Sequence, residues 1–305
     1  MLTPSSVTAP PPPMMRFFTY PSCTRPLNDT IHAGHVPTNV TMTMLLRSAP
    51  GRDTGTGAPH YTLRLAADAA DIAAAQRLRY RVFADEVGAR LHTSLSGHDS
   101  DEFDAHCDHM IVIDERDGTV VATYRLLPPG RTSRRYAATE FDLSGLAPIA
   151  HQLVETGRSC VHPDHRAGAA INLMWAGIAR YMHLYNYRYV GGCASVDVRA
   201  GDATSTAVWA VAQKKHLSPE PWRVTPHRHW APAAAVDDVA PTGRVAMPPL
   251  LHGYLRLGAW ICGPPAYDPD FGCADFYVLL DTHRINERYM RHFLGEASPA
   301  VAADA

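Results

Sequence analysis

The chain has 305 residues, 46% hydrophobic and 19% charged, with a formal net charge of −2. That apolar fraction supports a buried core and excludes a mainly disordered protein, and the near-neutral balance lacks the basic field of a nucleic-acid binder. No apolar run reaches the ~20 residues of a membrane helix, and Met1–Tyr20 has no charged segment leading into an apolar one, so no secretory signal is read and a cytoplasmic location is expected.

Residues 1–60 hold Pro10–Pro13 in a row and no apolar period, so a disordered Pro-rich extension is expected there. Tyr61–Ala66 then reads as a strand. Asp71–Val87 reads as a helix, with Asp71 as N-cap and Gly88 past its end. Cys107–Glu115 and Val120–Leu127 are β-branched runs joined by Asp117-Gly118, a hairpin signal. Leu153–Val161 is a strand, Ala169–Tyr185 a helix, Tyr189–Val198 a strand and Thr204–Lys215 a helix. Residues 216–248 carry six prolines and read as a long insertion. A helix at Pro249–Leu257, strands near Ala259–Gly263 and Ala274–Leu280, and a helix near Ile285–Phe293 complete residues 61–295, before a disordered tail at 296–305. Mixed strands and helices predict an α/β fold, one mixed central sheet flanked by helices on both faces.

The cations are 26 arginines and two lysines, Lys214 and Lys215, which with the heavy alanine use reads as genomic base composition. The six cysteines form no C-x-x-C pair, so neither a disulfide framework nor a zinc site is expected. His106, Cys107 and His109 raise metal binding, but alternating strand positions do not converge, and no metal is assigned.

Several charges stand where apolar packing gives no reason for them. Arg79 shares a helix face with Ile72, Ala75, Val82 and Phe83, so it either snorkels or needs an acidic partner. Asp101 and Asp104 follow as candidate partners. Arg125 lies inside the second hairpin strand. Glu155 and Arg158 lie inside Leu153–Val161, where i and i+3 face opposite sides unless a bulge near Gly157 brings them together. The set points to a polar cavity at one end of the sheet. Small residues at the next turn, His162 to Ala170, would let backbone N–H groups approach an anion at a helix N-terminus.

That turn resembles the acyl-donor motif of GNAT-superfamily acyltransferases, Gln/Arg-x-x-Gly-x-Gly/Ala, with His165 at the first position and Arg166 beside it. Tyr254-Leu255-Arg256-Leu257-Gly258-Ala259 resembles the superfamily's Tyr-x-x-Leu-Gly-Phe turn, with Ala259 replacing Phe. Leu78–Phe83, Asp101–Asp104, Tyr124–Leu127 and Glu155–Arg158 resemble blocks shared by acyl-homoserine-lactone synthases and ornithine–acyl carrier protein N-acyltransferases. Cys107-Asp108-His109, Gly157–Pro163, Gly192–Ser195, Pro248–Leu251 and Asp268–Gly272 are closer to the second group. The resemblance covers Leu65 to Phe293.

It implies amide formation, in which an acyl thioester on the phosphopantetheine arm of acyl carrier protein, or coenzyme A, is attacked by an amino acid's α-amine, ornithine being favoured. No permanently bound cofactor is implied. In that reading Glu155 is the base, Tyr254 the acid for the leaving thiolate, and Arg158 is catalytic. Arg79, Phe83, Asp101, Asp104 and Arg125 bind the acceptor. Cys160, Val161, Arg166, Ala167, Gly168 and Ala169 bind pantetheine. Arg131, Arg134 and Arg135 either dock the acidic carrier or form a solvated loop. A lipid product implies peripheral contact with the inner membrane. An autoinducer-type synthase using S-adenosylmethionine and a non-catalytic acyl-carrier or lipid-binding module stay open.

Overall fold

A computed structural model of the chain describes residues 46–47, 60–232, 247–286 and 289. The first strand, β1 (Leu46–Arg47), falls inside the stretch expected to be an unstructured extension. It pairs with β2 (Tyr61–Leu65), and Leu46 is buried in the core. The rest of that stretch, residues 233–246, the expected tail at 296–305 and most of the helix expected at Ile285–Phe293 lie outside the described residues.

Helix α1 (Ala69–Tyr80) is capped by Asp68, not by Asp71: the Asp68 carboxylate accepts from the Asp71 N–H at 2.9 Å. Asp71 sits three positions on and accepts from the Ala67 N–H at 2.8 Å, so the two aspartates satisfy free amides from both sides of the start. After Tyr80 the coil widens into a π-helix, Arg81–Glu86, and stops before Gly88 at φ +76°. Strands β3 (Asp108–Asp114) and β4 (Val120–Leu127) form the expected hairpin, with Gly118 at φ +76° in its turn. Then come β5 (Phe141–Asp142), β6 (Leu153–Val161), α2 (Ala169–Leu184), β7 (Tyr189–Asp197) and α3 (Ala203–Lys215). Next are β8 (Thr225–Pro226), α4 (Pro249–Arg256), β9 (Trp260–Ile261), β10 (Ala266–Asp268) and β11 (Cys273–Asp281).

The main sheet runs β1-β2-β3-β4-β6-β7-β11-β10, with β9 also on β11. Its pairs are antiparallel except β6–β7, which are parallel. Alternation along the strands sends two sets of side chains to two layers. Leu63, Met110, Tyr124 and Leu126 pack against Leu173, Met174 and Ala176 of α2. On the other face Leu78 and Val82 cover Cys160. Helices thus flank both faces, as the sequence predicts. The insertion is not wholly loose: β8 pairs with β5, and Ser218, Val224 and Trp230 are buried. Among the described residues no helix is long and apolar enough to cross a membrane.

Arg79 on α1 is fully buried, and it does not snorkel. Its Nε donates to Asp99 at 2.9 Å, and Nη1 and Nη2 donate to Asp104 at 2.9 and 2.8 Å. Burial alone would raise the Asp104 carboxyl, but the hydrogen bonds and charges of Arg79 and Arg125 overcome it and hold it well below the usual range. Its contribution to stability is therefore complete above the ordinary carboxylate pKa and is lost as pH falls through the depressed value. Arg79→Ala strands two carboxylates in the interior and should cost about 3–5 kcal/mol in urea unfolding. Arg131→Ala, on the surface, should cost about 1 kcal/mol or less in the same assay.

Candidate active site

Strands β6 and β7 are each nine residues long but pair only from Leu153↔Tyr189 to Glu155↔Gly191. Beyond Glu155 they part. Gly192 is what permits the close approach at the vertex, because a Cβ there would run into the Thr156 carbonyl oxygen. On the other side of β6 the register with β4 shifts between Thr123↔Cys160 and Arg125↔Gly157, so Arg158 and Ser159 together oppose Tyr124. This is the expected bulge, one residue later than Gly157, and it holds Arg158 at φ +51°. It turns Glu155, Gly157 and Arg158 toward one cavity of about 390 Å³, which opens between the parted strands.

Glu155 is buried at the vertex. Its Oε1 accepts from the Ala137 N–H at 2.7 Å, while Oε2 has no hydrogen-bond partner and lies 4.0 Å from an Arg135 nitrogen. Burial pushes the carboxyl above the usual range, only partly offset by the Ala137 N–H and by Arg135. One oxygen is anchored and the other is buried without a partner, in a carboxylate that lines the cavity.

Tyr254 of α4 also lines this cavity. Its hydroxyl is 2.8 Å from that of Tyr124, and its ring stacks on Trp175 at 5.0 Å. Burial, with Tyr124 beside it, pushes the phenol well above its usual value, so it stays protonated at neutral pH. A second, mainly apolar cleft lies on the α2 face of the sheet, with Trp175, Ile178, Val278 and Leu280 in its walls. Tyr124, Thr156, Cys193, Ala194 and Tyr254 belong to both spaces. The two cavities therefore meet in the gap between β6 and β7.

The ion-pair wall divides in two. Arg125 and Arg158 line the cavity. Arg125 donates to Asp101 at 2.6 Å and to Asp104 at 3.2 Å. Arg158 is 3.2 Å from Asp99 and 3.5 Å from Asp101, and its guanidinium lies over Tyr136 and Phe271 at 4.6 and 5.4 Å. Arg79, Asp101 and Asp104 do not line it; they hold the two cavity arginines from behind. Phe83, carried by the π-helix, does line it, edge-on to Phe271.

The expected donor residues also separate. The Cys160 side chain turns to Leu78 and Val82, away from the cavity, and burial pushes its thiol up to about 12. Val161 contributes its backbone: His162 N–H bonds Val121 O at 2.8 Å, so the alternating ladder leaves the next N–H, that of Val161, pointing from β4 toward the gap. Arg166 is taken up by Glu86, at 2.5 and 2.8 Å, and by the Val161 carbonyl. His165 turns to Tyr61, at 2.8 Å. Gly168, at φ +101°, begins α2 ahead of Ala169, and Ala167 precedes it on the turn. Arg135 is no surface residue: it is 16% exposed and donates to the Ala150 and Leu153 carbonyls. Arg131 and Arg134 are exposed, paired with Asp108 and Glu102.

Sequence reasoning missed Asp99, Tyr136, Glu140 and Asp275. Asp275 had a signal, a carboxylate inside the apolar run Cys273–Leu280. Asp99 and Glu140 sit in polar loops that look like any other.

A family model described as an acetyltransferase (GNAT) domain matches residues 78–176. An L-ornithine N(alpha)-acyltransferase of Brucella abortus is 34% identical over 257 residues, spanning 78% of this chain and 90% of that protein. Another, of Rhodobacter capsulatus, is 37% identical over 249 residues, spanning 76% and 94%. Among solved structures, a CoA-dependent acyl-homoserine lactone synthase with SAM and isopentyl-CoA aligns over 75% of this chain and 85% of that one, at 16% identity and a TM-score of 0.44. The similarity to whole relatives, together with the GNAT match across α1, the hairpin, β6 and the start of α2, makes this chain an acyltransferase of the L-ornithine N(alpha)-acyltransferase family.

Proposed function

We propose that the protein moves a fatty acyl group, 3-hydroxylated or not, from the phosphopantetheine thioester of acyl carrier protein to the α-amine of ornithine, giving a lyso-ornithine lipid. The observation that carries this reading is the junction of two unlike cavities at Thr156 and Tyr254, next to Glu155: a charged one of about 390 Å³ that fits an amino acid, and a narrow apolar one of about 60 Å³ whose walls suit methylenes. The relatives' activity supports the acceptor. Coenzyme A presents the same thioester arm and is the alternative donor. In this reading the enzyme works in the cytoplasm, and its single-chain lipid product brings it into peripheral contact with the inner membrane.

The thioester carbonyl lies in the gap, within reach of the Val161 N–H. Glu155 Oε2 takes a proton from the α-ammonium, directly or through a water. The freed amine attacks the carbonyl carbon; the C–N bond forms and the charge on oxygen is met by the N–H. The C–S bond then breaks, and the second proton of the attacking amine passes through water to the departing sulfur, so that the products are the amide and a free thiol. A thiol has a pKa of ~8.5 and a phenol ~10, so Tyr254 with its raised pKa donates a hydrogen bond to the leaving sulfur rather than giving up its proton outright. Arg158 and Arg125 receive the acceptor's α-carboxylate. Gly168 and Ala169 at the start of α2 receive the phosphate of the arm. Arg131 and Arg134 meet the acidic carrier.

Glu155→Gln should lower kcat by ~100-fold or more, and near-normal transfer would remove the base. Because burial raises this carboxyl, the wild-type rate should climb with pH until it is ionised, above the range of an ordinary glutamate. The Gln variant should lose that limb of the profile. Tyr254→Phe should cost roughly 10–100-fold, the worth of one hydrogen bond to a charged group; an unchanged rate would make water the donor. Reversing both Arg131 and Arg134 to Glu should raise KM for the acyl carrier protein without a matching rise for a short acyl-pantetheine. Equal effects on both donors would discard the docking role.

A further inference from the structure

Six carboxylates are buried among the described residues: Asp99, Asp104, Asp114, Glu155, Asp275 and Asp281. Five have an arginine within 4.0 Å. Asp275, 2% exposed, has no ion pair to Arg, Lys or His among the described residues. Its neutral side-chain partners are the Cys273 thiol, 3.4 Å away, and the Ser195 hydroxyl. Asp268 and Asp275 each bring an oxygen within 4.8 Å of that sulfur and of each other. Glu140 reaches the same place from the loop before β5 and hydrogen-bonds Asp275, yet its buried Oε2 has no partner. All three acids line the cavity that contains Glu155.

An unpaired carboxylate in a dry site is costly, and proteins either neutralise it or pair it. Here burial pushes Glu140 and Asp275 upward, with the charge of Asp275 adding to the rise of Glu140 and that of Asp268 to the rise of Asp275. Among the described residues no arginine comes within 4.0 Å of them: Arg125 and Arg158 stand on the β4–β6 side, held by Asp99, Asp101 and Asp104, and Arg199, which also lines the cavity, is held by Asp197, while Asp275 stands on β11 beyond β7. One wall of the cavity is cationic and the far wall acidic, with the base between them in the vertex. An amino acid whose side chain ends in an ammonium matches that order of charges: carboxylate to the arginines, α-amine to Glu155, terminal ammonium to the far wall.

We propose that Asp275, with Glu140 and Asp268, is the binding site for the side-chain ammonium of the acceptor and selects a diamino acid over one with a neutral side chain. This rests on the amino-acid acceptor proposed above. It adds the residues that read the side chain, two of which, Glu140 and Asp275, lie outside the blocks that carry the family resemblance.

Calorimetry without donor, comparing ornithine with norvaline, which lacks the terminal amine, tests it on the wild type, Asp275→Asn and Glu140→Gln. Ornithine should bind the wild type at least ~10-fold more tightly than norvaline, the worth of a charge-assisted hydrogen bond. Asp275→Asn should remove most of that ratio, and in turnover it should raise KM for ornithine more than it lowers kcat. The isosteric variant should melt no lower than the wild type, since it removes a buried unpaired charge; Glu140→Gln gives the same reading if Asp275→Asn fails to fold. Loss of affinity for both amino acids alike, or stoichiometric binding of Mn²⁺ or Zn²⁺ to the wild type that is abolished in Asp275→Asn, overturns the ammonium site. A wild type that prefers ornithine in binding but acylates neither amino acid refutes the acyl transfer and supports the cation site. One that acylates both equally well refutes the cation site alone.

Discussion

The guanidinium of Arg79 is the contact on which the site is built. It sits where α1 meets the sheet and accepts no substitute: its donors bind Asp99 and Asp104, and those carboxylates then serve as anchors for Arg158 and Arg125. The chain of charges therefore runs from a helix, through a loop, to a bulged strand. Arg158 occupies a left-handed backbone conformation that a side-chain-bearing residue rarely adopts. Its ion pairs and two aromatic neighbours hold it there. A buried ion network is seldom a source of net stability. Its effect here is positional: it fixes the two arginines that face the cavity.

Charge in an apolar strand was the informative signal in the sequence. Glu155, Arg158 and Arg125 were legible because a core strand gives such residues no other reason to exist, and the bulge followed from asking how i and i+3 face one way. The split between cavity arginines and supporting acids was not legible. Asp101 and Asp104 sit three residues apart with the same chemistry as residues that do line the cavity, and only the packing of α1 shows which way they turn. Cys160 and Arg135 each lie within two residues of a cavity-lining position, yet their side chains are taken up elsewhere, Cys160 by Leu78 and Val82 and Arg135 by the Ala150 and Leu153 carbonyls. The π-helix after Tyr80 has no local signature either, yet it sets the phase by which Phe83 reaches the cavity. Asp275 and Glu140 meet across 135 residues of sequence, and only the fold brings them together.

Electrostatics and hydrophobicity are divided between the two faces of one sheet. The face under α1 carries the base, the arginines and the far acids; the face under α2 and α4 carries Trp175, Ile178 and the apolar side of Tyr254. Because strand residues alternate, Thr156 and Glu155 deliver these opposite environments from adjacent positions. Among the described residues the two cavities meet at the gap that the parted strands leave, and polarity changes there.

That gap also has a mechanical meaning. The long sheet is two sheets in series, one from β1 to β6 and one from β7 to β10, joined at Leu153–Glu155 by three residue pairs. The ladders on either side of it run longer, five pairs between β4 and β6 and nine between β7 and β11. Bending is concentrated where a structure is thinnest, so any rotation of one half against the other would be centred on the vertex that holds Glu155. A small rotation there changes the width of the opening several residues away while the base, on the axis, scarcely moves. A chain of methylenes can be let through such an aperture, or released from it, with the proton-transfer geometry left intact.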